Sequence, residues 1–220
     1  MEQQIPPLVK ERLLFLMRFL EHADENKPIT SAEIEARTGW ASHTIRKDIS
    51  FLGSTAAGGL EDASQLTPEL NCRISSSGGY DPASLVSLIK RTLGFNKTRK
   101  ICVVGLGRLG SAYLNMPELA GTEFELVAGF DINVNRTEIL KSTVPLYPAY
   151  KMGEVISRFG IEIALLCVPS DAAQTSAERL AAAGIRGILN FAPVHLAISP
   201  EIAVRNVNLT DDLRALSIKL

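Results

Sequence analysis

A chain of 220 residues that is 46% hydrophobic and 21% charged can bury one large core or two modest ones, and this composition excludes a disordered tail, a collagen repeat and a coiled-coil rod. Charge is balanced along its length: residues 1–95 carry 10 basic and 12 acidic groups and residues 96–220 carry 13 and 12. A broad basic face is therefore excluded, and any contact with nucleic acid must come from a local cluster placed by geometry. No run of 18 apolar residues is unbroken by charge, and the start, MEQQIPP, lacks the basic and apolar segments of a secretory leader, so a cytoplasmic protein without a membrane partner is expected. Cys72, Cys102 and Cys167, with His22, His43 and His195, have no pairing or spacing suited to a disulfide framework or a metal site, and no metal is expected.

In chain order, Val9, Leu13, Leu16, Met17 and Leu20 follow Pro6-Pro7 at helical spacing and predict an amphipathic first helix. Lys27-Pro28 breaks the chain. Thr30-Ser31-Ala32-Glu33 then has the form of a capping box, in which hydroxyl and carboxylate each satisfy an orphan helix N–H, so a short second helix starts there. Gly39 suits the position after that helix, Trp40 and Ala41 make a turn, and Ser42 reads as the N-cap of a third helix over 43–51. Ile45, Ile49 and Leu52 face inward in it. His43, Thr44, Arg46, Lys47 and Ser50 are left as candidates to meet DNA, as in a recognition helix whose polar residues reach base edges and phosphates. A solvated helix face is the competing reading of Arg46-Lys47-Asp48. From 53 to 79 the composition shifts to Gly, Ser, Thr and Ala, which predicts a long loop or wing, and Leu85, Leu88, Ile89 and Leu93 give a linking helix that closes at Gly94.

Beyond residue 95 strand and helix signals alternate. Strands are expected over 101–104, 124–130, 161–168, 187–190 and, more weakly, 204–207, with the clearest helix over 171–183. Near-continuous apolar strands separated by helices point to an α/β class: a doubly wound parallel sheet behind an N-terminal helix-turn-helix. Leu213, Leu216 and Leu220 are spaced along a last short helix to pack on something. The expected domains are 1–95, 96–208 and a terminal helix over 209–220.

Gly105-Leu106-Gly107-Arg108-Leu109-Gly110 follows a buried strand and opens a helix. Gly105 permits the tight turn, Gly107 lets the backbone approach a pyrophosphate, and Gly110 allows close packing of helix on strand. Asp131 ends the next strand, where a carboxylate accepts hydrogen bonds from adenosine ribose hydroxyls and repels a 2′-phosphate. NAD(H) is thus preferred, and Arg136 leaves NADP(H) open. Val168 and Pro169, at the end of a further apolar strand, are placed to line the nicotinamide end. Cys102 and Cys167 lie inside apolar strands and read as small buried hydrophobes. His195 is the one histidine of this half and reads as a loop residue; with no Tyr-x-x-x-Lys pair, the acid–base apparatus of a dehydrogenase is missing and an enzyme is not expected.

Taken in order, IPP near the start, Arg46-Lys47-Asp48-Ile49-Ser50, GLGRLGSA at 105–112, FD at 130–131, VPSDAAQ at 168–174, AGIRGILNFAPV at 183–194, NVNL at 206–209 and a terminal LS-x-x-L resemble the Rex family of redox-sensing transcriptional repressors. The resemblance implies a winged helix joined to a Rossmann domain. It also implies a homodimer that exchanges its C-terminal helix, and operator DNA that is bound by the free or NAD⁺-bound form and released with NADH. In the family an Arg, Tyr and Asp set couples cofactor to domain position; Arg18 matches the Arg, whereas Met116 and Asn208 occupy the other two positions, so weakened or rewired coupling is expected. The segment corresponding to the family's short basic wing is long here, with Arg73 its one basic residue. Two other readings stay open: an NAD(H)-binding regulator that acts on a protein partner, and a small NAD-dependent dehydrogenase whose N-terminal helices only build an interface.

Overall fold

A computed structural model describes residues 5–23, 27–58, 79–119 and 121–220, and the chain divides into two compact units, Met1–Asn96 and Lys97–Leu220. The first unit begins with α1 (Pro7–Leu20), where Pro7 occupies a position whose N–H would be unpaired anyway and Val9, Leu13, Leu16, Met17 and Leu20 are buried. Helix α2 (Ser31–Thr38) starts on the expected capping box: the Glu33 N–H donates to Thr30 Oγ1 at 3.2 Å and the Thr30 N–H to Glu33 Oε2 at 2.8 Å. Gly39, at φ 74°, ends it in the left-handed conformation that glycine adopts without strain.

Helix α3 (Ser42–Gly58) is longer than the sequence suggested, and 53–58, assigned above to the wing, is helical. After Gly53 the Ser, Thr and Ala residues do not oppose continuation, and the inward Ile45, Ile49 and Leu52 anchor the preceding turns. The rest of the expected wing, with Cys72 and Arg73, lies outside the described residues. The chain returns through an isolated antiparallel bridge, Ile29 to Tyr80, made by two backbone hydrogen bonds of 2.7 and 2.8 Å. Helix α4 (Pro82–Leu93), capped by Asp81 and closed by Gly94, adds Leu85, Leu88 and Ile89 to the core.

In the second unit, among the described residues, strands β1 (Arg99–Val104), β2 (Phe124–Asp131), β3 (Leu146–Pro148), β4 (Ile163–Leu166), β5 (Gly187–Asn190) and β6 (Ala203–Asn206) form one parallel sheet in the order β3-β2-β1-β4-β5-β6. Alternation along β1 and β4 separates two cores. Cys102, Val104, Ala164 and Leu166 face α7 (Met152–Phe159) and α8 (Ser170–Ala182), whereas Ile101, Val103 and Leu165 face the side of α5 (Arg108–Tyr113). A short α6 (Val134–Ile139) follows β2, and α9 (Leu209–Ser217) ends the unit with no buried residue. Chain order reverses between β1 and β4, the switch point beyond which open α/β sheets bind ligands.

Candidate functional site

The first candidate lies at that switch point. Gly105, at φ 89°, turns the chain out of β1; a Cβ here would stand 2.6 Å from the Cys167 carbonyl oxygen. A Cβ on Gly110 would fall 1.8 Å from the Gly105 oxygen, so only glycine lets α5 begin so close to the strand. Gly107 differs from both. It precedes α5 with φ −70° and ψ −160°, and a Cβ added to it meets no protein atom within 4 Å.

Asp131 is 4% exposed at the end of β2. Its Oδ2 accepts from the Leu106 N–H at 2.7 Å, its Oδ1 from the Asn133 N–H at 2.7 Å, and Arg136 approaches Oδ2 at 3.5 Å. The carboxylate thus ties the glycine loop to the second strand, a role the sequence reading did not assign to it. Each oxygen keeps further acceptor capacity for a ligand.

These elements enclose a cleft of about 390 Å³. Gly105, Gly107, Asp131, Val168 and Pro169 line it together; Leu106 and Gly110 are buried behind the loop, and Arg108 and Leu109 are exposed outside the lining. The sequence reading missed Ile132, Met152, Ser176 and Arg179, which complete the walls. Ala172, Ser176 and Arg179 share one face of α8 by i, i+4, i+7 spacing, a signal that acquires meaning only once the helix is known to flank the cleft. Burial pushes the Cys167 thiol up to about 12 and raises Cys102 further, so neither is a nucleophile at neutral pH. His195 is exposed and outside the lining.

The second candidate is α2, the turn and α3. Ser42 is the first helical residue rather than the N-cap: the Ala41 carbonyl accepts from Thr44 and Ile45, which puts Ala41 in the cap position. The Ser42 side chain instead locks the turn, its N–H donating to Glu35 Oε2 at 3.1 Å and its hydroxyl to the same oxygen. Those two donors hold the Glu35 carboxyl below the usual carboxylate range. His43, Arg46, Lys47 and Ser50 are exposed and Thr44 is half-buried, so the expected face is presented outward. Ser50 turns its hydroxyl back to the Lys47 carbonyl at 2.7 Å, and Arg46 donates to Ser31 Oγ across the turn at 3.1 Å.

Asp48 points the other way. It is 4% exposed and takes a bidentate contact from Arg12, at 2.5 Å to Nε and 2.7 Å to the second nitrogen, which fixes α3 against α1. Of the coupling candidates, Arg18 is exposed on α1, Met116 lines an apolar cavity of about 480 Å³ on the α5 side of the sheet, and Asn208 caps α9 by accepting from the Thr210 N–H at 3.0 Å. Among the described residues no three His, Cys, Asp or Glu side chains stand close enough to hold a metal ion, and no helix is long and apolar enough to cross a membrane.

A helix-turn-helix unit followed by a dinucleotide-type parallel sheet defines a regulator class in which one unit meets DNA and the other meets a small molecule. Residues 4–50 match the family model "Putative DNA-binding protein N-terminus" and residues 96–194 the "CoA binding domain" model. The redox-sensing transcriptional repressor Rex of Levilactobacillus brevis is 31% identical over 218 residues, 98% of this chain and 94% of that protein; that of Bacillus licheniformis is 31% identical over 215 residues, 97% and 92%. Among solved structures, RSP, a Rex-family repressor, superposes with TM-score 0.78 at 29% identity over 99% of this chain and 94% of its own, and RSP in complex with β-NAD⁺ and operator DNA superposes with TM-score 0.80 over 99% and 93%. The chain belongs to the Rex family of redox-sensing transcriptional repressors.

Proposed function

We propose that the protein is an NAD(H)-responsive transcriptional repressor that binds operator DNA as a homodimer in the cytoplasm, releases it when NADH is bound, and performs no catalytic turnover. The observation that carries this reading is Gly107: a glycine with ordinary dihedrals and open space where a side chain would stand, on the wall of a cleft closed by Asp131. The loop is shaped for something to approach its backbone. In this reading Gly105–Gly110 cradle the pyrophosphate, Asp131 receives the adenosine ribose, and Val168 and Pro169 border the nicotinamide. RSP has been solved with β-NAD⁺ and operator DNA and with β-NADH, which supports the same ligands here.

The match to a CoA-binding model does not displace NAD(H). The adenosine ribose of CoA, like that of NADP(H), is phosphorylated, and a buried carboxylate at the ribose position repels a phosphate dianion. Arg136 offsets part of that charge from 3.5 Å, yet it is half-exposed and already faces Asp131. On the DNA side, Arg46 is a base-reading candidate and Lys47 a phosphate contact, with His43, Thr44 and Ser50 beside them. Self-association through α9 gives Leu209, Leu213, Leu216 and Leu220, all exposed, a surface to cover.

The test is capture of fragmented genomic DNA by the purified protein at fixed physiological salt, with no ligand, with NAD⁺ and with NADH. Specific fragments retained without NADH and lost with it support the reading. Retention indifferent to cofactor leaves a DNA binder without the switch, and the absence of specific retention favours a regulator that acts on a protein partner.

A further inference from the structure

Two stretches of the sequence, AGIRGILNFAPV over 183–194 and NVNL over 206–209, line neither the cleft nor the helix-turn-helix, and the structure joins them at one buried side chain. Asn190 ends β5 with no exposed surface. Its Nδ2 donates to the Val194 carbonyl at 2.8 Å and to Asn206 Oδ1 at 2.9 Å, and its Oδ1 accepts from the Ala192 N–H at 3.0 Å. Both amide hydrogens are used, so a group that is costly to bury unpaired is satisfied on two sides. One arm folds the loop after β5 back on itself. The other crosses to β6, where Asn206 is the register partner of Asn190.

The loop is held from a second direction. Gln174 of α8 accepts from the Ala197 N–H and donates to the Ala197 carbonyl, each at 2.9 Å, while Val194, Leu196 and Ile198 pack on the core that buries Ala173, Ala177 and Leu180 of α8. Gln174 stands about 200° around the helix from Ala172, so α8 shows the cleft one face, with Ala172, Ser176 and Arg179, and grips the loop with another. At the far end, α9 has no buried residue, and packing within its own chain does not set its direction. The chain leading to it does. The Val207 N–H donates to the Asn190 carbonyl at 2.8 Å, Asn206 is held by the Asn190 amide, and Asn208 then caps the helix.

We propose that Asn190 is a positioning residue for the redox response: through Asn206 and Val207 it fixes the direction in which α9 leaves the sheet, and through Val194 and the loop that Gln174 clamps it ties that direction to α8, a wall of the cofactor cleft. The inference rests on the NAD(H)-responsive reading. A ligand that displaces α8 then moves the root of α9 without touching it, because the two share one hydrogen-bonded loop.

Replacing Asn190 itself would strand buried groups and endanger the fold, whereas Asn206 is exposed and offers the same bond from its other end. The test therefore compares wild type, Asn206→Ala, which removes the acceptor, and Asn206→Asp, which keeps it, all as full chains with a thermal melt. NADH affinity should be equal in the three, since Asn206 lies outside the cleft lining. The ratio of DNA affinities without and with NADH should fall about 2- to 30-fold in Asn206→Ala and stay within about twofold of wild type in Asn206→Asp. Amide hydrogen exchange over 207–212, measured without ligand, should quicken in Asn206→Ala alone. A wild type that responds to NADH beside an Asn206→Ala that responds as strongly overturns the proposal, as does an Asn206→Asp that behaves like the alanine variant. If the wild type shows no response to NADH, the redox reading fails, and the exchange comparison decides by itself whether this bond holds α9: equal exchange in all three chains overturns that as well.

Discussion

Replacing Gly107 by alanine isolates the ligand from the fold. At φ −70° and ψ −160° alanine is unstrained, and the added methyl meets no protein atom within 4 Å, so the folded state should lose nothing; the stiffer unfolded chain stabilises it by about 0.4–1 kcal/mol. In the proposed pose the methyl stands where the pyrophosphate comes close to backbone N–H groups. Displacing one hydrogen bond to a charged oxygen costs about 1.5–3 kcal/mol, or roughly 10- to 100-fold in affinity. The assay is NADH fluorescence titration beside a thermal melt. Gly110→Ala serves as the contrast, because its methyl would lie 1.8 Å from the Gly105 oxygen and should unfold the loop. Unchanged NADH affinity in Gly107→Ala would place the pyrophosphate elsewhere and refute the reasoning, and a marked fall in its melting temperature would show that the space is not open.

Four further outcomes are expected. Lys47→Ala should weaken binding to all DNA sequences and reduce the salt slope by about one, whereas Arg46→Ala should relax preference at one base position by about 1–3 kcal/mol; indifference of DNA affinity to both would move the docking face off α3. Asp48→Asn strands the half-buried Arg12 charge and should cost about 3 kcal/mol of stability in the first unit, measured by denaturant unfolding, with a loss below about 0.5 kcal/mol counting against the clamp. Glu35 has its carboxyl held low by Ser42, so its contribution is present above the unfolded value of 4.5 and lost as pH falls through the lower folded value; the stability gap between wild type and Glu35→Gln should therefore narrow as pH falls below 4.5, and a gap that stays constant as the solution is acidified would be contrary. Finally, Met116→Tyr with Asn208→Asp should strengthen the effect of NADH on DNA affinity without changing NADH affinity; if the wild type already responds as strongly, those two positions do not limit coupling.

Local signals carried most of the legible fold. The Thr30 box, the Gly39 stop and the glycine loop each depend on residues a few positions apart, and each is found where the sequence placed it. What escaped notice depended on distance or on weak local pattern. Asp48 reads as one of three surface charges until Arg12, 36 residues earlier, is brought against it. Strand β3 is three residues long and ends in Pro148, which is tolerated because that strand lies at the sheet edge. In α7 Met152, Val155, Ile156 and Phe159 do carry a helical period, but a run of eight residues competes poorly with the stronger strand signals around it. Ser176 and Arg179 join the cleft only because α8 follows β4 across the switch point.

Affinity and sensing are separable in this architecture. In the proposed pose the loop at Gly107 and the carboxylate of Asp131 meet parts of a dinucleotide that are identical in its oxidised and reduced forms, so they would hold NAD⁺ and NADH without telling them apart. The forms differ at the nicotinamide, which is cationic and planar when oxidised and neutral when reduced, and in the proposed pose discrimination begins where Val168 and Pro169 line the cleft. A ligand that binds the DNA-competent and DNA-incompetent states equally shifts nothing, however tightly it binds, and moving a population from 1:99 to 99:1 takes about 5.5 kcal/mol of differential affinity. On that pose a variant that loses NADH at Gly107 should become deaf to redox state yet keep its operator, whereas a variant altered at the positions held by Met116 and Asn208 should keep its cofactor and change only what the operator learns of it.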